Sequence, residues 1–155
     1  MDGSGNPSPW AVRDQQARLE REGVLLVSRA VKGWWFYIRP LNDWNTDYHG
    51  AVARMLRTPQ VAAYYARARL PGYVPTPEDA ELDRLMQLNP LIEGCLVGWK
   101  GVEGRDGLPY PFTPDNARAL LQHFPNVLQE VQRFAGDASN FSVSLDELET
   151  AKGNS

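Results

Sequence analysis

Cysteine, histidine and long hydrophobic runs are all scarce in this sequence. One cysteine and two histidines occur in 155 residues. A single thiol cannot build a disulfide framework, which is consistent with a reducing compartment. Cys95 lies in the apolar run 91–97, where a small buried residue is favoured over a nucleophile. The longest apolar runs are far shorter than the ~20 residues that a membrane helix needs. Residues 1–9 lack the charged and apolar regions of a signal peptide. We therefore expect a cytosolic protein with no membrane contact.

The sequence also lacks an excess of charge of either sign. Sixteen basic and 19 acidic residues give a formal net charge of −3. A protein that binds nucleic acid through its phosphates usually carries a basic face, so no nucleic-acid partner is expected. Hydrophobic residues make up 43% and charged residues 23%, which is typical of a soluble globular protein of one domain.

Motifs that carry chemistry are missing as well. No glycine-rich phosphate loop, dinucleotide fingerprint or nucleophile elbow occurs. Asp47 and His49 would not share a helix face, and neither Cys95 nor His123 has a second metal ligand nearby. We therefore expect no catalytic residue, no cofactor and no metal site, and we expect that the protein is not an enzyme.

Four Ser/Thr-Pro pairs punctuate the chain. They are Ser8-Pro9, Thr58-Pro59, Thr76-Pro77 and Thr113-Pro114. Proline suits the first helical position, because the N–H that it lacks would be unpaired there, and the hydroxyl before it can cap the helix. The pairs therefore predict four helix starts.

The remaining patterns predict one β-hairpin among the helices. Residues 24–38 contain two β-branched and aromatic runs with Gly33 between them, which is typical of a hairpin. Helices are predicted at 9–22, 46–57, 59–69, 77–89, 114–124 and 126–138. The apolar run 91–99 fits a helix or a buried strand, and we favour a helix. The fold class is thus mainly α, a compact domain of about five to seven helices with one N-terminal hairpin. Residues 1–22 form a polar segment, helical from residue 9; residues 23–141 form the helical domain; residues 142–155 form a polar tail.

Two pairs of adjacent aromatic residues are the best candidates for a binding surface. Trp34 and Trp35 lie on the predicted hairpin, so that their side chains should point to opposite faces. Tyr64 and Tyr65 are about 100° apart on a predicted helix. In a domain with one core, at least one member of each pair should face outward. That member is either an edge aromatic half-covered by a loop or part of a partner-binding surface.

The region 96–121 resembles the tail assembly chaperones of long-tailed bacteriophages. The shared features are an apolar lead, Gly98-Trp99, the Asp106-Gly107 turn, the helix start Pro111-Phe112-Thr113-Pro114-Asp115-Asn116, Leu120-Leu121 and the final Asn140-Phe141. Upstream, Asn45-Thr46-Asp47-Tyr48 and residues 51–55 also resemble the family, so that the resemblance covers about residues 38–141, roughly two-thirds of the chain. Residues 1–22 have no counterpart in the family.

The turn at Asp106 and Gly107 should bring Trp99 and Phe112 together and pin the loop onto the last two helices. Thr113 and Pro114 should start the next helix. We interpret all six as structural residues.

The resemblance implies a protein that works through surfaces rather than an active site. Such chaperones bind the tape measure protein, and we consider the tail tube protein as a further partner, during tail assembly in the host cell cytoplasm. They leave before the tail matures and are often extended by a frameshift. The sequence leaves self-association open. The alternative is a structural tail or neck component of the finished particle.

Overall fold

A computed structural model of the chain describes residues 8–142. That part contains six α-helices, three β-strands and one short 3-10 helix. The helices are α1 (Pro9–Glu22), α2 (Thr46–Leu56), α3 (Pro59–Ala68), α4 (Pro77–Gly94), α5 (Pro114–His123) and α6 (Pro125–Gly136). The strands are β1 (Val24–Val27), β2 (Trp35–Ile38) and β3 (Leu96–Lys100), and the 3-10 helix is Ala138–Phe141. The prediction of a mainly helical domain is confirmed. Residues 1–7 of the predicted polar segment and residues 143–155 of the predicted tail lie outside the described residues.

The four predicted helix starts are confirmed, because α1, α3, α4 and α5 each begin at the expected proline. The hydroxyls of Ser8, Thr76 and Thr113 accept a hydrogen bond from the backbone N–H three residues on. Thr58 differs, because its hydroxyl donates to the Met55 carbonyl at 2.8 Å. Three of the four pairs therefore cap the helix that they start.

The hairpin is also confirmed, but it belongs to a sheet of three antiparallel strands in the order β1-β2-β3. The helix favoured for 91–99 is wrong in its second half. Helix α4 continues through Pro90 and ends at Gly94, and Leu96–Lys100 forms strand β3. A short apolar run has no clear periodicity, so the run alone does not distinguish a helix from a strand. Pairing with β2, about 60 residues earlier in the chain, makes it a strand.

The core lies between one face of the sheet and the helices α4, α5 and α6. We call this face the inner face; Phe36, Ile38 and Leu96 on it are buried. The helices contribute Leu88, Leu91, Ile92, Ala117, Leu120, Leu121, Val127, Val131 and Ala135 to the same cluster. Helix α1, in contrast, contains no buried residue.

Helix α2 crosses α4 with almost no space between the backbones. A Cβ atom at Gly94 would overlap the backbone of Tyr48. Beside this crossing, the buried Asn45 amide donates to the carbonyls of Pro40 and Gly94, both at 2.8 Å. Its side-chain oxygen accepts from the N–H of Tyr48 at 3.1 Å and so caps α2. Asn45 therefore ties the end of α4 to the start of α2.

Candidate partner-binding surface

The other face of the sheet carries apolar side chains that face solvent within the described part of the chain. We call it the outer face; its residues are Leu25, Val27, Trp35, Tyr37, Gly98 and Lys100, together with the exposed Val97 at the irregularity between Gly98 and Leu96. Leu25, Val27 and Val97 are 40%, 56% and 42% exposed. Trp35 and Tyr37 are half-buried. Contiguous apolar patches on a protein surface are common sites of partner binding.

The cross-strand register places these side chains in two rows. Val27, Trp35 and Lys100 lie opposite one another in the first row. The Lys100 ammonium nitrogen lies over the Trp35 ring, 4.5 Å from its centre. This cation–π contact covers one face of the ring.

The second row contains a slot. Leu25, Tyr37 and Gly98 lie opposite one another, and a Cβ at Gly98 would meet no atom within 4 Å. Gly98 thus leaves open space beside the Tyr37 ring.

A carboxylate from α6 fixes the turn that joins β1 to β2. Glu130 accepts hydrogen bonds from the Ser28 hydroxyl at 2.8 Å, the Arg29 N–H at 2.8 Å and the Ala30 N–H at 2.9 Å. The Ser28 oxygen in turn accepts from the N–H of Val31. We call the bonds to Glu130 the hairpin latch.

Burial and the hairpin latch shift the pKa of Glu130 in opposite directions. Desolvation raises the pKa, but the two amides and the hydroxyl together outweigh it, so that the pKa of the carboxyl lies below its ordinary value. The carboxylate is therefore ionised at neutral pH and holds the turn between β1 and β2 against α6.

The structure separates Trp34 from Trp35. Trp34 precedes β2, is 9% exposed, and packs edge-on against Phe124 with ring centres 4.9 Å apart. Trp35 lies on the outer face. Trp34 also forms part of the wall of a groove of about 880 Å³ between α5 and the loop 103–110. Of this pair, only Trp35 presents a substantial surface to a partner.

Tyr64 and Tyr65 lie on α3, away from the outer face. Tyr65 is exposed, and its ring meets the half-buried Tyr64 at 5.6 Å between centres. Tyr64 in turn contacts the ring of Tyr73. The structure does not bring this pair together with Trp34 and Trp35, so any binding at Tyr65 would involve a separate surface.

Tyr73 connects this cluster to a buried carboxylate. Its hydroxyl donates to Asp79 at 2.8 Å, and Arg67 forms an ion pair with the same carboxylate. Burial, and then the bond to Asp79, raises the pKa of Tyr73 to about 12. The bonds from Tyr73 and Arg67 lower the pKa of Asp79. The network is fully satisfied and fixes α3 to the start of α4.

The six residues that we interpreted as structural are Trp99 and five residues between it and the start of α5. The Trp99 indole N–H donates to the Tyr110 carbonyl at 2.7 Å, and the ring stacks on Tyr110 and meets Phe112 edge-on at 4.9 Å. Between them, the Asp106 carboxylate accepts from the Leu108 N–H, and Gly107 has a positive φ of 77°. The loop 101–113 is thus folded onto Trp99, at the inner face of β3. Thr113 and Pro114 start α5.

The polar residues considered for chemistry have structural partners. Asp47 pairs with Arg39 at 2.7 Å, and a ring nitrogen of His49 lies 2.9 Å from the Asn42 carbonyl. Cys95 is fully buried, and burial raises its pKa to about 12, so that the thiol stays protonated at neutral pH. Residues 8–142 contain no group of three side chains placed to hold a metal ion. No helix among them is both long and apolar enough to span a bilayer.

Sequence reasoning named Trp35 but missed its neighbours Leu25, Val27, Tyr37 and Val97. A signal existed for the first two strands, because Val24–Val27 and Trp35–Ile38 alternate between the two faces of the sheet. Val97 could not be found, since its strand was expected to be helical.

The comparisons with known proteins point to phages. No curated protein and no solved structure matches the chain significantly. A family model described as "YdaY prophage protein" matches residues 45–154, more than half of the chain. The match begins at Asn45, the residue that ties α2 to α4. The phage origin implied by the resemblance is thereby supported. The chain belongs to the YdaY prophage protein family.

Proposed function

We propose that this protein is a tail assembly chaperone that binds an apolar stripe of the tape measure protein on its outer face. The phage family and the resemblance of residues 96–121 to tail assembly chaperones support the class of protein. The observation that carries the binding role is the uncovered outer face, with Trp35 and Tyr37 at its centre. Both the tail tube protein as a further partner and the host cytoplasm as the place of action belong to the same proposal.

The outer face suits a helical partner with a narrow apolar stripe. It offers two aromatic rings, three exposed aliphatic side chains and a slot at Gly98. Tryptophan and tyrosine are the residues that most often dominate binding energy, because they bury large rigid surfaces. A tape measure protein presents such a stripe before the tail tube polymerises around it. An amphipathic helix laid into an apolar groove is a common mode of peptide recognition.

Co-purification with tagged tape measure protein tests the proposal through two variants of the outer face. Trp35→Ser removes an aromatic ring, and Gly98→Val places a side chain in the slot, where its Cβ meets no atom within 4 Å. We expect each to weaken capture by about 1–3 kcal/mol, or roughly 5- to 150-fold in the dissociation constant. Far-UV circular dichroism should remain that of the wild type, because neither residue belongs to the core.

Trp44→Ser is the matched control, since Trp44 is 75% exposed but lies off the sheet. We expect wild-type capture from this variant. Tyr65→Ser probes the separate surface on α3, and a smaller loss is expected because its ring does not adjoin the outer face. Capture that survives both Trp35→Ser and Gly98→Val would refute binding at the outer face.

A second experiment separates a chaperone from a tail component. Mass spectrometry of purified particles should find no copies of this polypeptide, while infected cells contain it together with the tape measure protein. Stoichiometric amounts in finished tails would contradict the chaperone role and establish the structural alternative.

A further inference from the structure

Strand β1 forms an edge of the sheet, and its short length of four residues is the one protective feature that it has. Its sequence, Val24-Leu25-Leu26-Val27, has no charge, no proline and no bulge. The register irregularity of this sheet lies between β2 and β3, at Tyr37/Ile38, and Lys100 lies on β3. Natural sheets protect open edges by such devices, because an unprotected edge pairs with other strands.

The hydrogen bonds of the hairpin show which backbone groups face the edge. The Ser28 N–H donates to the Trp34 carbonyl at 3.0 Å. In an antiparallel ladder the residues bonded to the partner alternate, so Leu26 and Val24 also bond towards β2. Leu25 and Val27 therefore direct their N–H and C=O groups away from β2. Among the described elements, only β2 packs closely against β1.

We infer that β1 pairs with β1 of a second copy of this chain, giving a continuous sheet of six antiparallel strands. A second copy fits this edge because the strand itself carries no charge, so that two copies meet without repulsion between like charges along the strand. The pairing also gives hydrogen-bond partners to the backbone N–H and C=O groups of Leu25 and Val27, which are four groups in each chain. This inference goes beyond the proposed function and does not depend on it.

The register of the pairing follows from the faces of the side chains. Residues opposite each other in a sheet lie on the same face, and Leu25 and Val27 lie on the outer face. Leu25 can therefore oppose Val27 of the other copy, with Leu26 on the twofold axis. Two other registers also keep the faces. If Val27 opposed itself, Leu25 would pair with Arg29, whose N–H already donates to Glu130. If Leu25 opposed itself, Val27 would pair with Gly23. Gly23 has a positive φ of 87° and so leaves the extended strand conformation. The first register gives four hydrogen bonds.

Sedimentation equilibrium of the full chain, without any partner, tests the pairing. A four-residue edge buries less than the ~1,200 Å² typical of stable interfaces, so the dimer should be weak. We expect the average mass to rise towards two chains between about 5 and 500 µM. A mass that stays at one chain throughout that range would overturn the inference.

Two lysine variants of similar exposure separate edge pairing from stacking of outer faces. Leu25→Lys places a charge on the β1 edge, and Val97→Lys places one on the opposite edge strand. Edge pairing predicts that only Leu25→Lys abolishes the dimer. Equal losses in both variants would point to contact through the outer face and would also overturn the inference.

Hydrogen exchange of the wild-type protein tests the same pairing without any substitution, so that misfolding of a variant cannot affect the result. The amides of Leu25 and Val27 should exchange at least about 10-fold more slowly at high than at low protein concentration, since dimer formation covers them. Exchange at both amides that does not depend on concentration would exclude this pairing.

Discussion

Removal of the hairpin latch should measure how strongly α6 holds the sheet. Glu130→Ala leaves the Arg29 and Ala30 amides and the Ser28 hydroxyl without their acceptor. A hydrogen bond to a charged group contributes about 1.5–3 kcal/mol, but two of the three donors belong to exposed residues that water can reach. We therefore expect a loss of about 2–4 kcal/mol in the free energy of unfolding.

Glu130→Gln is the control that keeps the shape of the side chain. Its amide oxygen can still accept from Ser28 and Ala30, whereas its NH₂ group would face the Arg29 N–H. The expected loss is about 1–2 kcal/mol. Urea unfolding followed by tryptophan fluorescence measures both variants. Equal stability of Glu130→Ala and the wild type would refute the latch.

The latch also predicts how stability depends on pH. Because the pKa of Glu130 is lower in the folded protein than its ordinary value of 4.5, its contribution is complete above that value. The contribution is lost as the pH falls through the folded-state pKa. The stability difference between the wild type and Glu130→Gln should therefore shrink below about pH 4.5. A difference that stays constant between pH 7 and pH 3 would show that the charge has no role.

Two further substitutions test the junction of α2 and α4 by urea unfolding. Gly94→Ala forces a Cβ into the backbone of Tyr48 and should lower the free energy of unfolding by about 1–3 kcal/mol or more. The control is Gly136→Ala, whose Cβ meets no atom within 4 Å, so that this change should be neutral or stabilising. Equal effects of the two substitutions would contradict the close crossing. Asn45→Asp keeps the cap acceptor but places a carboxylate against the carbonyls of Pro40 and Gly94, and we expect a loss of about 2–4 kcal/mol, which an unchanged unfolding curve would contradict.

Local chemistry made most of the helices predictable from the sequence. A Ser/Thr-Pro pair fixes a helix start through atoms within four residues, so no knowledge of the fold is needed. The same holds for the hairpin, whose two runs are separated by a short turn. The turn at Asp106 and Gly107 is equally local, because its bonds join residues two or three apart.

The features that create the candidate surface depend on distant residues. β3 becomes a strand by pairing with β2, and Trp34 is buried because Phe124 covers it. Glu130 meets the hairpin from 100 residues away. Alternation shows that each strand has two faces, but only the packing of α4, α5 and α6 decides which face remains open. The sequence therefore identified Trp35 as a candidate without identifying its surface.

The outer face and the β1 edge are perpendicular surfaces of one strand, so that occupation of one does not block the other. A twofold axis perpendicular to the sheet would leave both outer faces on the same side.

The width of the sheet sets the length of helix that can lie on it. Strands are about 4.8 Å apart, so three strands are about 14 Å wide and six are about 29 Å wide. A helix rises 1.5 Å per residue, so a helix lying across the strands would contact one copy over about 10 residues and a pair over about 19. A stripe long enough to reach both faces would hold the two copies together, because the second contact becomes intramolecular. Weak self-association and weak binding at each face would then combine into firm retention of a long helix with an apolar stripe, which is the kind of partner that the proposed function requires.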